Sequence, residues 1–270
     1  RAPDAVDVGP SFAVQGAQEG LFVPYKVATG NGIPADMKDA SGLWFGDYFG
    51  VIALAANRSV VKTMPQSWAD LKQPAYKGMV SLNGDPMGAA AAFAAVYAAS
   101  LANGGSLDDI APGVHYFADL AKLGNFNPAQ ARPASLIGGQ TPITLDWDYL
   151  SLGYRKKGQG KAEVTVAIPQ GGPAYGGFYC QAISAHAPNP NAVRLWQEFL
   201  YSDQGQIMFL EGFAHPARFN ALVAANKIPP ALMKELPSPA AYKNIKFASL
   251  DQQTKAKKTL ADLWPKLVKT

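Results

Sequence analysis

The sequence predicts an α/β protein of two lobes, each built around a mainly parallel sheet. Short apolar segments with strand character alternate along the 270 residues with segments of helical spacing, and this alternation is typical of parallel α/β sheets. Apolar residues make up 48% of the chain, which is enough for a buried core. Two segments, residues 55–61 and 168–178, are interpreted as crossings between the lobes.

These crossings predict a discontinuous first lobe. Residues 1–56 and 176–270 would form lobe 1, and residues 57–175 would form a continuous lobe 2. A cleft between two such lobes is a common place for a small ligand to bind.

The individual elements follow from apolar runs and turn residues. We predict strands at Ala5–Val8, 51–55, 79–82, Ile143–Trp147, 164–168 and 178–184. We predict a short helix that follows Ser11 and runs toward Glu19. We predict further helices from Pro86 to about Leu101, at 106–123, from the end of the Ile143–Trp147 strand to about Gly158, and over much of the C-terminal third. Pro86 suits the first turn of its helix. Cys180 lies in an apolar run and is expected in the core.

Composition excludes several classes of protein. The net charge is +4, but its lysine clusters lie in a turn and on a terminal helix, which indicates a solvated surface and no nucleic-acid partner. No apolar run approaches the roughly 18 residues that span a bilayer. A single cysteine cannot form an internal disulfide.

Enzyme and metal motifs are also absent from the sequence. The three histidines, His115, His186 and His215, are far apart and match no metal-binding pattern. There is no G-x-S-x-G elbow and no Walker loop. We therefore expect no catalytic residues, no metal and no cofactor. The alternative is an α/β enzyme that uses Asp146 or Asp148 as a general base.

Candidate ligand contacts lie where predicted strands end. Trp147 and Asp148 stand at a strand-to-helix junction, and an aromatic face beside a carboxylate suits an ammonium group. The alternative is structural, with Asp148 capping the next helix and Trp147 packing between layers.

Two further groups of residues carry the same ambiguity. Ser11 and Asp85 each precede a predicted helix and could be N-caps or ligand contacts. Tyr48, Tyr175 and Tyr179 lie beside glycines near the crossings, where tyrosine offers a stacking face and a hydroxyl. These tyrosines could instead be core aromatics. An amine, an amino acid or an aminophosphonate would be compatible with the whole set.

Several segments resemble the periplasmic solute-binding proteins of bacterial ABC importers. They are residues 43–54 (Leu-Trp-Phe-Gly-Asp-Tyr-Phe-Gly-Val-Ile-Ala-Leu), Ser67-Trp-Ala-Asp-Leu, Pro74-Ala-Tyr-Lys-Gly, Leu145-Asp-Trp-Asp-Tyr and residues 191–205. The resemblance covers most of the chain and is strongest to the spermidine/putrescine branch of the type II class. It implies the type II periplasmic-binding-protein fold and a periplasmic or lipid-anchored monomer. It also implies a solute partner and an inner-membrane permease.

The resemblance assigns roles to single residues. Ser11 stands at the family's Pro-Ser loop, Asp85 at an acidic amine-binding position, and Trp147 at an aromatic that stacks on polyamines. The segment from Tyr175 to Tyr179 falls near a further aromatic and acidic pair. Gly88 stands where the family has a second acidic residue, and the second crossing has no carboxylate, which weighs against a long polyamine. An aminophosphonate, a carboxylate and ferric ion are the alternatives. In the ferric-binding branch of the family a pair of tyrosines would stand near Tyr149.

The start of the chain departs from this family pattern. Family members begin with a strand, a helix and another strand before the segment that opens here. We therefore expect the N-terminal lobe to lack its first elements.

Overall fold

The chain forms two compact units. A computed structural model describes residues 2–242 and 244–269. Unit 1 comprises Arg1–Gly50 and Gly177–Glu235, and unit 2 comprises Val51–Gly176 and Leu236–Thr270. The chain therefore passes from one unit to the other three times, after Gly50, Gly176 and Glu235.

The elements of both units follow in chain order. The strands are β1 Ala5–Val8, β2 Phe22–Val23, β3 Phe45–Asn57, β4 Val80–Leu82, β5 Ile143–Trp147, β6 Val164–Ala167, β7 Ala174–Ser184, β8 His215–Pro216 and β9 Ile245–Lys246. The helices are α1 Pro10–Gln18, α2 Ala90–Ala102, α3 Ala111–Lys122, α4 Pro133–Ile137, α5 Asp148–Gly158, α6 Pro190–Tyr201, α7 Asp203–Glu211, α8 Phe219–Ala224, α9 Pro230–Glu235 and α10 Leu250–Leu267.

In unit 1 the strands gather around β7 and β3. β1 and β2 pair with β7, and β8 pairs with β3, all antiparallel. β7 lies beside β3 in the strand order. In unit 2 the central strand is β3, which pairs antiparallel with β5 and β6, while β4 runs parallel to β5 and β9 runs parallel to β7.

The mixed α/β class is confirmed, but the expected mainly parallel pairing is corrected. Among the described pairings, five are antiparallel and two are parallel. The reason lies in β3 and β7, which have 13 and 11 residues and run on from one unit into the other. The alternation of strands and helices along the sequence does not reveal which strands these two long ones adjoin.

Alanine determines how the core of unit 2 is packed. α2 is buried over ten consecutive residues from Ala91 to Ser100, because small side chains let neighbouring elements approach on every side. α3 lies so close that a Cβ added at Gly113 would sit 2.0 Å from the carbonyl oxygen of Val96.

The C-terminal segment belongs to unit 2. We expected residues 236–270 in the first lobe, but Leu260 and Trp264 of α10 are buried in the core that α2 and α3 build. The Trp264 ring contacts those of Phe117 and Phe126 at centroid distances of 5.6 and 6.2 Å. The apolar spacing of α10 predicts that one of its faces is buried. Only the tertiary structure shows that this face packs against the core of unit 2.

Most predicted elements are present, and the differences lie at their ends. β1 and β5 match the predicted bounds, whereas β3 begins six residues before the predicted start at Val51. The helix expected from Pro86 begins at Ala90, because the backbone carbonyl oxygen of Asp85 accepts hydrogen bonds from the amides of Gly88 and Ala89 in a separate turn. Cys180 is fully buried, as predicted. Within the described residues, every helix is too short or too polar to cross a membrane.

The contact of α2 with α3 yields a test of the fold. Gly113→Ala should destabilise the protein by about 1–3 kcal/mol or more, because the added methyl overlaps a fixed backbone carbonyl. Gly153→Ala in α5 is the matched control, since nothing lies within 4 Å of its added Cβ, and it should stabilise by up to about 1 kcal/mol. Urea unfolding measures both, and equal effects would contradict this packing.

Candidate functional site

A stack of three aromatic rings marks one face of unit 1. Tyr48 lies two residues before the end of this unit's part of β3, and Tyr179 lies near the start of its part of β7. The Tyr48 ring stacks on Tyr179 and on Phe209 of α7, each at a centroid distance of 5.2 Å. All three side chains are half-buried, so the stack combines a fixed position with exposed ring surface.

Ser11 lies near the same end of the sheet. In the β1–β7 register Val8 faces Cys180, so Gly9, the next residue, falls beside Tyr179. Ser11 is the second residue of α1, which follows Gly9 directly, and it is half-buried. The structure therefore brings the predicted residues Ser11, Tyr48 and Tyr179 to one edge.

Two carboxyl groups, those of Asp47 and Asp7, lie close to Tyr48. Asp47 is fully buried, its Oδ2 accepts a hydrogen bond from Gln181 Nε2 at 3.1 Å, and its Oδ1 accepts the Tyr48 amide at 2.9 Å. Burial, and then the charge of Asp7, raise the pKa of Asp47 to about 7. Burial and the Asp7 charge also raise the pKa of Tyr48. Asp7 itself is exposed, so its charge is available to a cation.

In unit 2 polar side chains meet at the carboxyl ends of β4 and β5. Asn83 follows β4, and its Nδ2 donates to Asp146 Oδ2 at 2.9 Å. The Tyr154 hydroxyl donates to the same oxygen. Burial is the main cause that raises the pKa of Asp146 to about 6. Asp146 is fully buried, so its role is to hold the side chains of Asn83 and Tyr154 in position by hydrogen bonds.

Trp147 is the last residue of β5 and is mostly buried, with 8% of its surface exposed. Its ring lies parallel to that of Tyr149, at 6.4 Å between centroids and 7° between planes. Tyr149 is half-buried. Any solute contact at this point would involve the edge of Trp147 and the more open Tyr149.

Asp148 has structural contacts on both carboxylate oxygens. It is the first residue of α5 and is fully buried. Oδ1 accepts the Val51 amide at 3.1 Å, and Oδ2 accepts the Tyr242 hydroxyl at 2.7 Å. Burial raises the pKa of Asp148 to about 7. This geometry favours the structural alternative, since the carboxylate bonds backbone amides in the first turn of its own helix as well as two distant segments.

Asp85 and Tyr175 have opposite environments. Asp85 is exposed, its Oδ1 accepts the Met87 amide, and it lies on a pocket of about 310 Å³ that Gln130 and Trp264 also line. Tyr175 is 4% exposed and stacks on Tyr97 at 4.7 Å. The carboxylate of Asp85 is therefore open to solvent, whereas Tyr175 fits the core alternative.

No sequence pattern marks Phe209, Asp7 or Asp47 as a site residue. Phe209 lies in α7 at a spacing that predicts only a core residue, and nothing in the sequence connects it with Tyr48. Among the described residues, no three His, Cys, Asp or Glu side chains are grouped to hold a metal ion. His215 is buried between the rings of Phe49 and Phe219, and burial lowers its pKa to about 3.

Comparison with known protein families decides the class. Residues 3–253 match the family described as bacterial extracellular solute-binding protein. The chain belongs to this family. Solute-binding proteins of ABC importers deliver their ligand to a membrane permease, act outside the cytoplasm and are not enzymes. No curated protein matches the chain.

Solved structures of solute-binding proteins share this fold. The spermidine/putrescine substrate-binding protein PotD of Streptococcus pneumoniae has a TM-score of 0.75 at 14% identity, over 98% of this chain and 84% of that one. AfuA of Actinobacillus pleuropneumoniae, with fructose-6-phosphate bound, has a TM-score of 0.68 at 18% identity, and the match covers 97% of this chain and 83% of that one. The Bordetella ferric binding protein has a TM-score of 0.68 at 20% identity, and the match covers 99% of this chain and 84% of that one. At these identities the likeness establishes the periplasmic-binding-protein fold and leaves the solute open.

The buried carboxyl of Asp47 predicts an unusual dependence of stability on pH. A carboxyl whose pKa is raised from 3.8 in the unfolded chain to about 7 in the fold binds a proton in the folded state alone between these values. The free energy of unfolding therefore falls as pH rises from about 4 to about 7. Asp47→Asn should reduce this fall by on the order of 1–3 kcal/mol.

Denaturant unfolding at several pH values measures the effect. Asp36→Asn, at an exposed position of the same unit, should leave the pH profile unchanged. A profile of Asp47→Asn that is superimposable on the wild-type profile would contradict the assignment.

Proposed function

We propose that this solute-binding protein captures a small organic solute that carries an amino group. The observation that carries the proposal is the half-buried ring stack of Tyr48, Tyr179 and Phe209, close to the exposed carboxylate of Asp7. Aromatic faces attract cations by about 0.5–2 kcal/mol, and a carboxylate adds a charge-assisted hydrogen bond.

Unit 2 carries candidate contacts of its own. Asp85 offers a solvent-exposed carboxylate, and Trp147 with Tyr149 offers a parallel pair of rings. Ser11 adds a hydroxyl in unit 1. We do not assign Asp148 or Tyr175 to the solute, because their side chains are engaged within the core of unit 2.

An anionic solute is the second candidate. Ser11 lies in the first turn of α1, and helix N-termini favour negative charge. AfuA, a structural neighbour, holds fructose-6-phosphate. An aminophosphonate or a carboxylate would fit this feature, but the exposed carboxylates Asp7 and Asp85 weigh against a solute without an amine. Ferric ion is a weaker candidate, since Tyr149 has no second tyrosine next to it in the sequence.

The enzyme alternative loses its support from geometry. Asp146 and Asp148 are each fully buried and bonded to side chains or backbone of their own unit. A general base must reach the proton that it removes, and neither carboxylate is open to a substrate.

A panel of solutes tests the class of ligand. Putrescine, spermidine, amino acids, 2-aminoethylphosphonate, fructose-6-phosphate and ferric citrate are compared by thermal shift, and positive responses are measured by calorimetry. We expect saturable 1:1 binding of an amine with no chemical change, and a higher melting temperature at ligand concentrations above Kd. Binding of anions or ferric citrate alone, or turnover of any member, would contradict the proposal.

Tyr179 tests the site itself with the best amine from that panel as the probe. Tyr179→Ala removes an outer ring of the stack and should weaken binding more than tenfold, whereas Tyr179→Phe keeps the ring and should stay within about threefold. Trp196→Ala is the control, because Trp196 is an exposed ring on α6 of the same unit. If a folded Tyr179→Ala binds as the wild type does, the stack is not the solute site.

A further inference from the structure

A single buried carboxylate connects segments that carry the chain between the units. Val51 is the first residue of unit 2 on β3, and Tyr242 belongs to the segment that enters unit 2 after Glu235. Asp148 accepts the Val51 amide on Oδ1 and the Tyr242 hydroxyl on Oδ2. These three residues are far apart in the sequence. The β3–β5 ladder, in which Ile52 pairs with Trp147, brings Val51 beside Asp148, and the carboxylate then bonds both Val51 and Tyr242.

The second crossing joins the same assembly from the other side. β9 pairs with β7 at Ala174 and Tyr175, immediately before the crossing at Gly176. The contact is close, since a Cβ at Gly176 would lie 2.5 Å from Ile245 Cγ2 and 2.6 Å from Phe247 Cε1. The segment that contains Tyr242 is therefore seated on β7 as well as on Asp148.

We propose that Asp148 is a positioning residue that fixes two of the three crossing segments onto unit 2. The hydrogen bond from Val51 extends the β3–β5 pairing by one residue at the point where β3 enters unit 2, and the bond from Tyr242 fixes the returning segment. The inference does not depend on the identity of the solute.

The burial of Asp148 supports this role. A fully buried carboxylate is costly unless hydrogen bonds satisfy it, and Asp148 accepts one from each of two crossing segments in addition to backbone amides of its own helix. Asp146 provides the comparison within the same unit. It is equally buried, but its side-chain partners are Asn83 and Tyr154, which lie on neither crossing.

Hydrogen–deuterium exchange tests the proposal without any solute. In Asp148→Leu, which keeps a side chain of similar size, exchange of the Val51 amide and of peptides from 236–242 should accelerate more than tenfold. Amides of α2 should change less than about twofold. Asp148→Asn can accept from Val51 and donate to Tyr242, so it should stay within about threefold of the wild type.

Asp146→Leu is the matched control. It should accelerate exchange near Asn83 and Tyr154 and leave the Val51 amide within about twofold. The proposal is overturned if Asp148→Leu accelerates α2 as much as Val51, since the role would then be general stability. It is also overturned if Asp146→Leu affects Val51 equally.

Tyr242→Phe covers the case in which Asp148→Leu does not fold. It removes one of the two hydrogen bonds and keeps the ring. Exchange in 236–242 should accelerate more than threefold, with Val51 little changed. Unchanged exchange in 236–242 would refute the tether.

Discussion

The structure depends on two long strands that each serve two units. β3 and β7 continue past Gly50 and Gly176, so neither unit has a complete sheet without them. This constraint also places the aromatic residues of the candidate site. Tyr48 and Tyr179 each lie within three residues of the point where their strand changes unit, and their rings stack there. Strand continuity thus fixes the side chains that we assign to the solute.

Buried carboxylates accompany these strands and have different roles. Asp47, Asp146 and Asp148 are all fully buried, and burial raises the pKa of each. Each carboxylate is held by hydrogen bonds from side chains and backbone of its own unit, which offset part of the cost of desolvation. Such groups fix positions more than they add stability. A carboxylate in a predicted strand-end motif is therefore not by itself a ligand contact.

Much of the fold could be predicted from local sequence. The strands Ala5–Val8 and Ile143–Trp147 were delimited correctly, because apolar runs end at clear turn or polar residues. Pairing direction could not be predicted, since it depends on which distant strands adjoin β3. The placement of α10 was missed for the same reason. In the candidate site, the neighbouring glycines predict Tyr48 and Tyr179 as solute contacts, and this role stays a prediction. The contact of Phe209 with Tyr48 and the bonds of Asp148 with Val51 and Tyr242 could not be predicted, because each joins residues more than 90 positions apart.

The central claim is that the ring stack of unit 1 holds an amine. Mass spectrometry of the protein, purified without refolding and sprayed under native conditions, tests this most directly through any solute retained from the cell. The account predicts one bound molecule per chain, with a mass and fragmentation pattern that identify an amine, and its loss from Tyr179→Ala. Retention of a metal ion, or of an anion without an amino group, would contradict the account.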